Sequence, residues 1–425
     1  MGMGLGLGLG ESMGDVRTAP SQATTQTATT ATTAVEPATP PRPRRLPHLA
    51  PLDGLRGIAI ALVLGVHSGN SLWPEAKAWL APGGPLGVHL FFVLSGFLIT
   101  ALLLGEHERD GRIDLRAFAR RRALRLVPAV VALLLALVVL ALAGDRLLLR
   151  GVLAEGAYML TFTSNVHMVH GDLPPVTWLF GDDPGTVTEV GHMWSVGIEA
   201  QFYVLWALLL WAVTRARWSY GRIALLTAGL VVAVAVWRAY LLAQGEPWLQ
   251  LYLSSPTRLD APFVGSLVGI AWCAGWLDRV RERLALTAGV VGLGALLVAS
   301  YTTRFYDRSL YNGLYTVLAV CAAAAIVGAV RSRGGGAFPR ALAWPPLVFL
   351  GTISYSVYVW HYGIFWTIER NDPSWPGPVR LAAGLTAALV VSYASYRLIE
   401  QPFLRRKHRT ARTALTPAAE GGHDG

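Results

Sequence analysis

The stretch Val127–Ala143, VPAVVALLLALVVLALA, contains no charge and no polar side chain. Such a run approaches the ~20 apolar residues that a helix needs to cross a bilayer core. Leu381–Tyr396, LAAGLTAALVVSYASY, is a second. Across 425 residues the chain is 53% hydrophobic and only 15% charged, with a mean hydropathy of +0.44. A soluble domain carries roughly 25% charge. The deficit is concentrated in long apolar runs, so the expected fold is all-α: a polytopic integral membrane helix bundle of about ten transmembrane helices. The expected spans are 52–71, 85–104, 126–143, 194–213, 223–242, 259–276, 285–301, 312–330, 347–367 and 379–397.

The net charge is +10. In a soluble protein that would suggest nucleic acid. Here the basic residues lie between apolar runs, and cytoplasmic loops of membrane proteins collect Lys and Arg. With the N-terminus inside, the first inner loop holds Arg109, Arg112, Arg116, Arg120, Arg121, Arg122 and Arg125. Arg215, Arg217 and Arg222, then Arg279, Arg281 and Arg283, then Arg331, Arg333 and Arg340 fill later inner loops. The outer loops hold few: Lys77, Arg146, Arg150, Arg258, Arg304, Arg308 and Arg370. The bias favours ten spans, both termini cytoplasmic and a plasma-membrane location, with no nucleic-acid partner. The apolar stretch 147–163 would invert every later loop if it crossed. It is expected to be interfacial or re-entrant within a long outer loop, 144–193.

Residues 1–47, rich in Thr, Ala, Pro and Gly, form an expected disordered cytoplasmic tail, because such composition cannot bury enough apolar surface to offset chain entropy. Residues 48–403 make the membrane domain and 404–425 a basic cytoplasmic tail. Cys273 and Cys321 both lie in apolar runs, with no disulfide framework or metal spacing. No metal is expected, although His167, His170 and Asp172 in the outer loop are a loose alternative ligand set. Gly334–Gly336 lacks the flanking pattern of a phosphate loop and reads as a connector.

An ionisable group at mid-membrane costs roughly 2.5–3.5 kcal/mol on insertion scales, and is kept where it faces a cavity or partner. The first span carries Asp53, Arg56 and His67. From Arg56 to His67 is three turns plus roughly 20°, and about 16 Å along the axis. One helical face therefore presents a cation near the cytoplasm and an imidazole deeper in the bundle. The fourth span opens with His192, Trp194, Ser195 and Glu199, the sixth with Arg258 and Asp260, and the ninth holds Tyr355, Tyr358, Trp360 and His361. A polar, aromatic cavity shared by several helices is the expectation.

These residues fall in motifs. Leu52-Asp53-Gly54-Leu55-Arg56-Gly57 is followed by His67. Gly87–Leu98 reads GVHLFFVLSGFL and includes Ser95. Arg121–Pro128 reads RRALRLVP, Trp194–Tyr203 reads WSVGIEAQFY, Ile353–His361 reads ISYSVYVWH, and Arg397–Phe403 reads RLIEQPF. Together, in order from Leu52 to Phe403, they resemble the membrane acyltransferase-3 family, which O-acylates glycans, lipids and some secondary metabolites. The resemblance implies an acyl group, acetyl as the first choice, moving from cytoplasmic acyl-CoA to an acceptor hydroxyl. Where the family pattern has two adjacent acidic residues, this chain has Glu199 and then Ala200, so the acidic role passes to Glu199 alone. Some members append a hydrolase-like domain. Here Phe403 is followed by a short basic tail, so the membrane domain is expected to handle the acceptor.

His67 is the expected general base, since a free imidazole titrates near ~6.5 and its neutral form accepts a proton at cellular pH. Glu199 is expected to orient or polarise it. Arg122 and Arg125, three apart and so on one helical face, are implied by the resemblance to hold the coenzyme A phosphates together with Arg121, and Arg56 to line the pantetheine passage or stabilise charge. Asp53, Ser95, Trp194, Ser195, Arg258, Asp260, Tyr355 and His361 are the remaining site candidates. Two other readings use the same residues: a proton-coupled transporter or exporter, since buried His, Arg and Glu also build ion paths, and a non-catalytic scaffold. No repeated half or paired broken helices favour transport. Acceptor identity, acyl chain and oligomeric state stay open.

Overall fold

The first helix, α1 (Ala50–Ser71), begins with a proline and with Asp53 in its first turn, a charge that suits the positive end of the helix dipole. The structure, a computed structural model, describes residues 48–80, 85–143, 149–171, 188–332, 335–371 and 374–405. The expected tails lie outside these residues except for Leu404 and Arg405, as do 144–148 and 172–187 of the expected outer loop. Among the described residues every regular element is helical.

After α1 come α2 (Pro85–Asp110), α3 (Leu115–Leu142), α4 (Leu149–Thr161) and α5 (Ser164–His170). A 3₁₀ turn, Thr188–Met193, leads into α6 (Trp194–Arg215), followed by α7 (Tyr220–Ala243) and α8 (Trp248–Leu253). Then follow α9 (Asp260–Cys273), α10 (Glu282–Thr302) and α11 (Tyr315–Arg331). The last are α12 (Ala337–Leu342), α13 (Pro345–Thr352), α14 (Ser354–Arg370) and α15 (Gly377–Ser395). The basic start of α3 is capped by Asp114, whose side chain accepts from the Ala117 N–H at 2.9 Å.

Eight described helical stretches are long and apolar enough to cross a membrane: Ala50–Ser71, Leu86–Asp110, Leu115–Leu142, Val190–Arg215, Tyr220–Ala243, Glu282–Thr302, Leu310–Arg331 and Gly377–Arg405. The other two expected spans differ. Residues 259–276 contain α9, 14 residues long, or about 21 Å at ~1.5 Å per residue, and most of its side chains are buried inside the bundle. Residues 347–367 are broken at Ile353, whose φ of −92° and ψ of 5° interrupt the helix between α13 and α14. Of the expected stretch 147–163, Leu149–Thr161 is α4, short of a full crossing, with Val152, Glu155 and Met159 buried and Leu153 and Leu160 exposed.

Helix α2 is the central post, packed against α1, α6 and α9. Its closest approach to α9 runs through two glycines. A Cβ on Gly96 would stand 1.9 Å from the Pro262 carbonyl oxygen, and one on Gly265 1.9 Å from that of Val93. Small residues bring membrane helices into backbone contact in this way. Gly96→Val is therefore expected to lower the melting temperature of the detergent-solubilised protein, since overpacking costs ~1–3 kcal/mol. An unchanged melting temperature would show that α2 and α9 separate freely. A similar contact, Gly351 of α13 against the Asp53 carbonyl, sets the start of α14 beside α1.

A second anchor is ionic. Arg238 of α7 meets Asp260 of α9 at 2.9 Å, both side chains sealed from solvent at 0% and 1% exposure. Arg238 also donates to the carbonyls of Thr257 (2.7 Å) and Tyr311 (3.2 Å) and to Thr316 Oγ1 (2.9 Å). Thr316 in turn donates to Asp260 at 2.6 Å.

Candidate active site

Two cavities share a wall residue, Val88. The first is lined by Arg56 of α1, Ser95 of α2, Arg122 and Arg125 of α3, Ser195, Glu199 and Tyr203 of α6, and Ser354, Tyr355 and Tyr358 of α14. The second is lined by His67 and Asn70 of α1, His192 of the 3₁₀ turn, Trp194 of α6, Trp248 and Tyr252 of α8, and Tyr362 and Trp366 of α14. Val88 belongs to both walls. Beside it, Ser195 and Tyr358 share a 2.5 Å hydrogen bond, and Tyr358 also donates to the His192 carbonyl at 2.8 Å.

The first cavity gathers three guanidinium groups, one carboxylate and several hydroxyls. Arg56 donates to Ser354 Oγ at 3.3 Å. The Arg122 guanidinium lies 5.5 Å from the Tyr203 ring and 5.6 Å from Phe118, with its buried Nε lacking a hydrogen bond. Glu199 Oε1 accepts from both Ser95 and Tyr203. Glu199 and Tyr203 lie one turn apart on α6, so the motif's own spacing places the tyrosine on its carboxylate. Tyr355 donates to the Leu126 carbonyl at 2.7 Å, tying α14 to α3.

In the second cavity His67 Nδ1 lies 2.7 Å from His361 Nε2, and His361 Nδ1 lies 2.8 Å from the Val357 carbonyl. A carbonyl only accepts, so His361 carries its proton on Nδ1 and its Nε2 accepts. His67 must then donate through Nδ1, which leaves a lone pair on Nε2 when the ring is neutral. The hydrogen-bond chain thus sets the tautomer that a base at this position needs. His67 also packs edge-on against Tyr362 at 4.8 Å.

The sequence candidates are thus sorted by the fold. Arg56 and His67 share α1 and face adjoining cavities. Arg122 and Arg125 join Arg56, whereas Arg121 turns away to Glu106 at 2.6 Å. Glu199 lines the arginine cavity, and the partner that orients His67 is His361. Asp53 meets His48 at 2.7 Å. Trp194 lines the second cavity and packs on Tyr252 with ring centroids 4.5 Å apart. Asp260 is held by Arg238, and fully buried Arg258 lies over Tyr315, its CZ 3.8 Å from the ring centroid. Between α4 and α5, His167 meets Glu155 at 3.4 Å and stacks on Tyr158 at 3.8 Å, and burial pushes the Glu155 carboxyl up to about 7. Asp172 lies outside the described residues. Sequence reasoning passed over Arg238, Ser354, Tyr203 and Asn70. Tyr203, at the end of the WSVGIEAQFY motif, and Ser354, in ISYSVYVWH, carried a signal; Arg238 and Asn70 did not.

The chain resembles known proteins over most of its length. The family described as an acyltransferase domain matches residues 49–397. YrhL of Bacillus subtilis (strain 168), named provisionally as a peptidoglycan O-acetyltransferase, is 30% identical over 370 residues, covering 85% of this chain and 56% of that protein. The peptidoglycan O-acetyltransferase OatA of Listeria monocytogenes is 27% identical over 360 residues, 84% of this chain and 56% of its own. The O-acetyltransferase OatA of Staphylococcus aureus (strain NCTC 8325) is 27% identical over 386 residues, 88% and 60%. The chain therefore spans little more than half the length of these relatives. No solved structure matches it.

Proposed function

The chain belongs to the acyltransferase family that residues 49–397 match, and from that premise we propose that it is an integral membrane O-acyltransferase moving an acetyl group from cytoplasmic acetyl-CoA to a hydroxyl of a glycan, glycolipid or secondary metabolite. The observation that carries the reading is that an arginine-lined cavity and a histidine-lined one share Val88 as a wall residue. Phosphates and a thioester suit the first, because guanidinium groups bind phosphate with paired hydrogen bonds. A hydroxyl suits the second, where His67 holds an accepting nitrogen. The acceptor oxygen attacks the thioester carbonyl and gives its proton to His67. The carbon–sulfur bond then breaks, and the thiolate takes that proton from His67, leaving an ester, the coenzyme thiol and a neutral imidazole. Glu199, with Ser95 and Tyr203, lines the carbonyl's path, and Arg56 stands where developing negative charge would need a counter-charge. In this reading the protein spans the plasma membrane with both termini cytoplasmic.

The test is transfer of radiolabel from acetyl-CoA by the full chain in proteoliposomes supplied with cell-envelope acceptors. Label entering an ester supports the reading, and acceptor uptake without any acetyl-CoA consumption would replace it with transport. Within the same assay Arg122→Ala is expected to raise KM for acetyl-CoA by about 10- to 100-fold, the worth of a hydrogen bond to a charged group. An unchanged KM would remove Arg122 from donor binding.

A further inference from the structure

The span assignment from sequence puts Arg258 in an outer loop, yet its side chain is fully buried. The guanidinium lies over the face of Tyr315, Cζ 3.8 Å from the ring centroid, with the Tyr252 ring at 5.3 Å. Stacking engages the face of a guanidinium plane and leaves the N–H groups around its edge. All three nitrogens of Arg258, Nε, Nη1 and Nη2, are buried without a hydrogen-bond partner. Five N–H donors on a cation are thereby left unmet.

The carboxylate nearest in sequence is already engaged. Asp260 meets Arg238 at 2.9 Å and accepts from Thr316 at 2.6 Å. Its Oδ1 is buried without a partner, so Arg258 does not bond it. Arg238 directs its own donors to Thr257, Tyr311 and Thr316. Arg238 and Asp260 are therefore neutral as a unit. His89 of α2, its ring centroid 5.2 Å from that of Tyr315, has its Nε2 2.7 Å from the Tyr315 carbonyl. An imidazole brings no negative charge in either protonation state. Two guanidinium groups and one carboxylate thus leave one positive charge in excess, and a guanidinium does not shed its proton. Burying a charge without a counter-charge is strongly unfavourable. The faces of Tyr315 and Tyr252 attract a cation but bring no opposite charge.

We infer that Arg258 binds a small monovalent anion, of chloride size, at the free edge of its guanidinium. Size and charge follow from the surroundings. Arg258 is fully buried and lines neither of the two cavities, which suits a one-atom ion rather than an organic anion. A divalent oxyanion would exchange one excess positive charge for one excess negative charge beside Asp260. The site is independent of the acyltransferase reading. Tyr252, which Arg258 covers, also lines the second cavity, so the neutralised cluster backs one wall of that cavity.

The experiment melts the full chain in detergent while chloride replaces gluconate from about 1 to about 300 mM at constant ionic strength, so that screening stays fixed. The melting temperature is expected to rise by about 2–5 °C for each tenfold of chloride above its dissociation constant. Bromide should substitute for chloride, and sulfate should not. Arg258→Met removes the charge and should melt independently of chloride. Should that variant not fold, His89→Asp places a carboxylate in the cluster instead, and it should melt in gluconate as the unmodified protein does in chloride. A melting temperature of the unmodified protein indifferent to chloride would overturn the inference, leaving water and the two tyrosines to satisfy Arg258. Equal stabilisation by sulfate, or full chloride dependence in the folded variants, would overturn it too.

Discussion

His67→Gln is expected to lower kcat for acyl transfer by about 10²–10⁴-fold, the usual contribution of a positioned general base. Glutamine retains a side-chain N–H that could donate to His361 and roughly preserves the packing against Tyr362. It has no nitrogen able to take a proton. The effect should therefore fall on kcat, with KM for acetyl-CoA little changed, because the arginines that would hold the donor line the other cavity. Activity within a factor of a few of the unmodified protein, at equal folded yield, would show that the acceptor proton leaves by another route. His361→Gln makes a sharper companion. It keeps an acceptor for His67 Nδ1–H only in one amide orientation, so a partial loss in kcat is expected, smaller than that of His67→Gln.

Asp260→Ala is expected to leave little folded protein. It strands the Arg238 guanidinium, wholly buried, beside Thr316 and two carbonyls. Removing one partner of a buried ion pair costs about 3–5 kcal/mol, out of a total stability of roughly 5–15 kcal/mol. The readout is the folded, monodisperse fraction after detergent extraction and its melting temperature. The paired variant Arg238→Met with Asp260→Leu should recover much of the loss, because replacing both charges by apolar groups is often neutral or better. A single Asp260→Ala protein that melts like the original would show that water, rather than the carboxylate, satisfies Arg238. The prediction separates Asp260 from the chemistry: its motif holds α9 to α7 and α11, while the cavities are lined by other residues.

Much of this was written in local pattern. Apolar runs such as Val127–Ala143 announced helices in lipid, because a segment that satisfies its own backbone needs only length and hydropathy to cross. Two spans were read too simply. The run around Asp260–Cys273 is as apolar as its neighbours, but its burial within the bundle lets it be 14 residues long. The break at Ile353 is a backbone geometry, and the apolar residues on both sides carry no mark of it. The helical phase of Arg56 and His67 was legible for the opposite reason, since both sit on one regular helix.

Partnership was not legible. His67 bonds a histidine 294 positions away, Arg238 an aspartate in another helix, and Glu199 a serine on α2. Hydropathy and periodicity describe one segment at a time, whereas these bonds depend on how segments cross. What the sequence alone determined was an all-helical membrane chain with titratable groups held where lipid would not tolerate them. Only the tertiary structure decided which groups share a wall: three arginines with Glu199 on one side of Val88, and His67 with Asn70, His192 and Trp366 on the other, His361 bonding His67 from behind. The reason is physical. Glycine-mediated backbone contacts such as Gly351 on Asp53 set the register between helices, and that register, not the composition of either helix, brings His67 to the wall of a cavity.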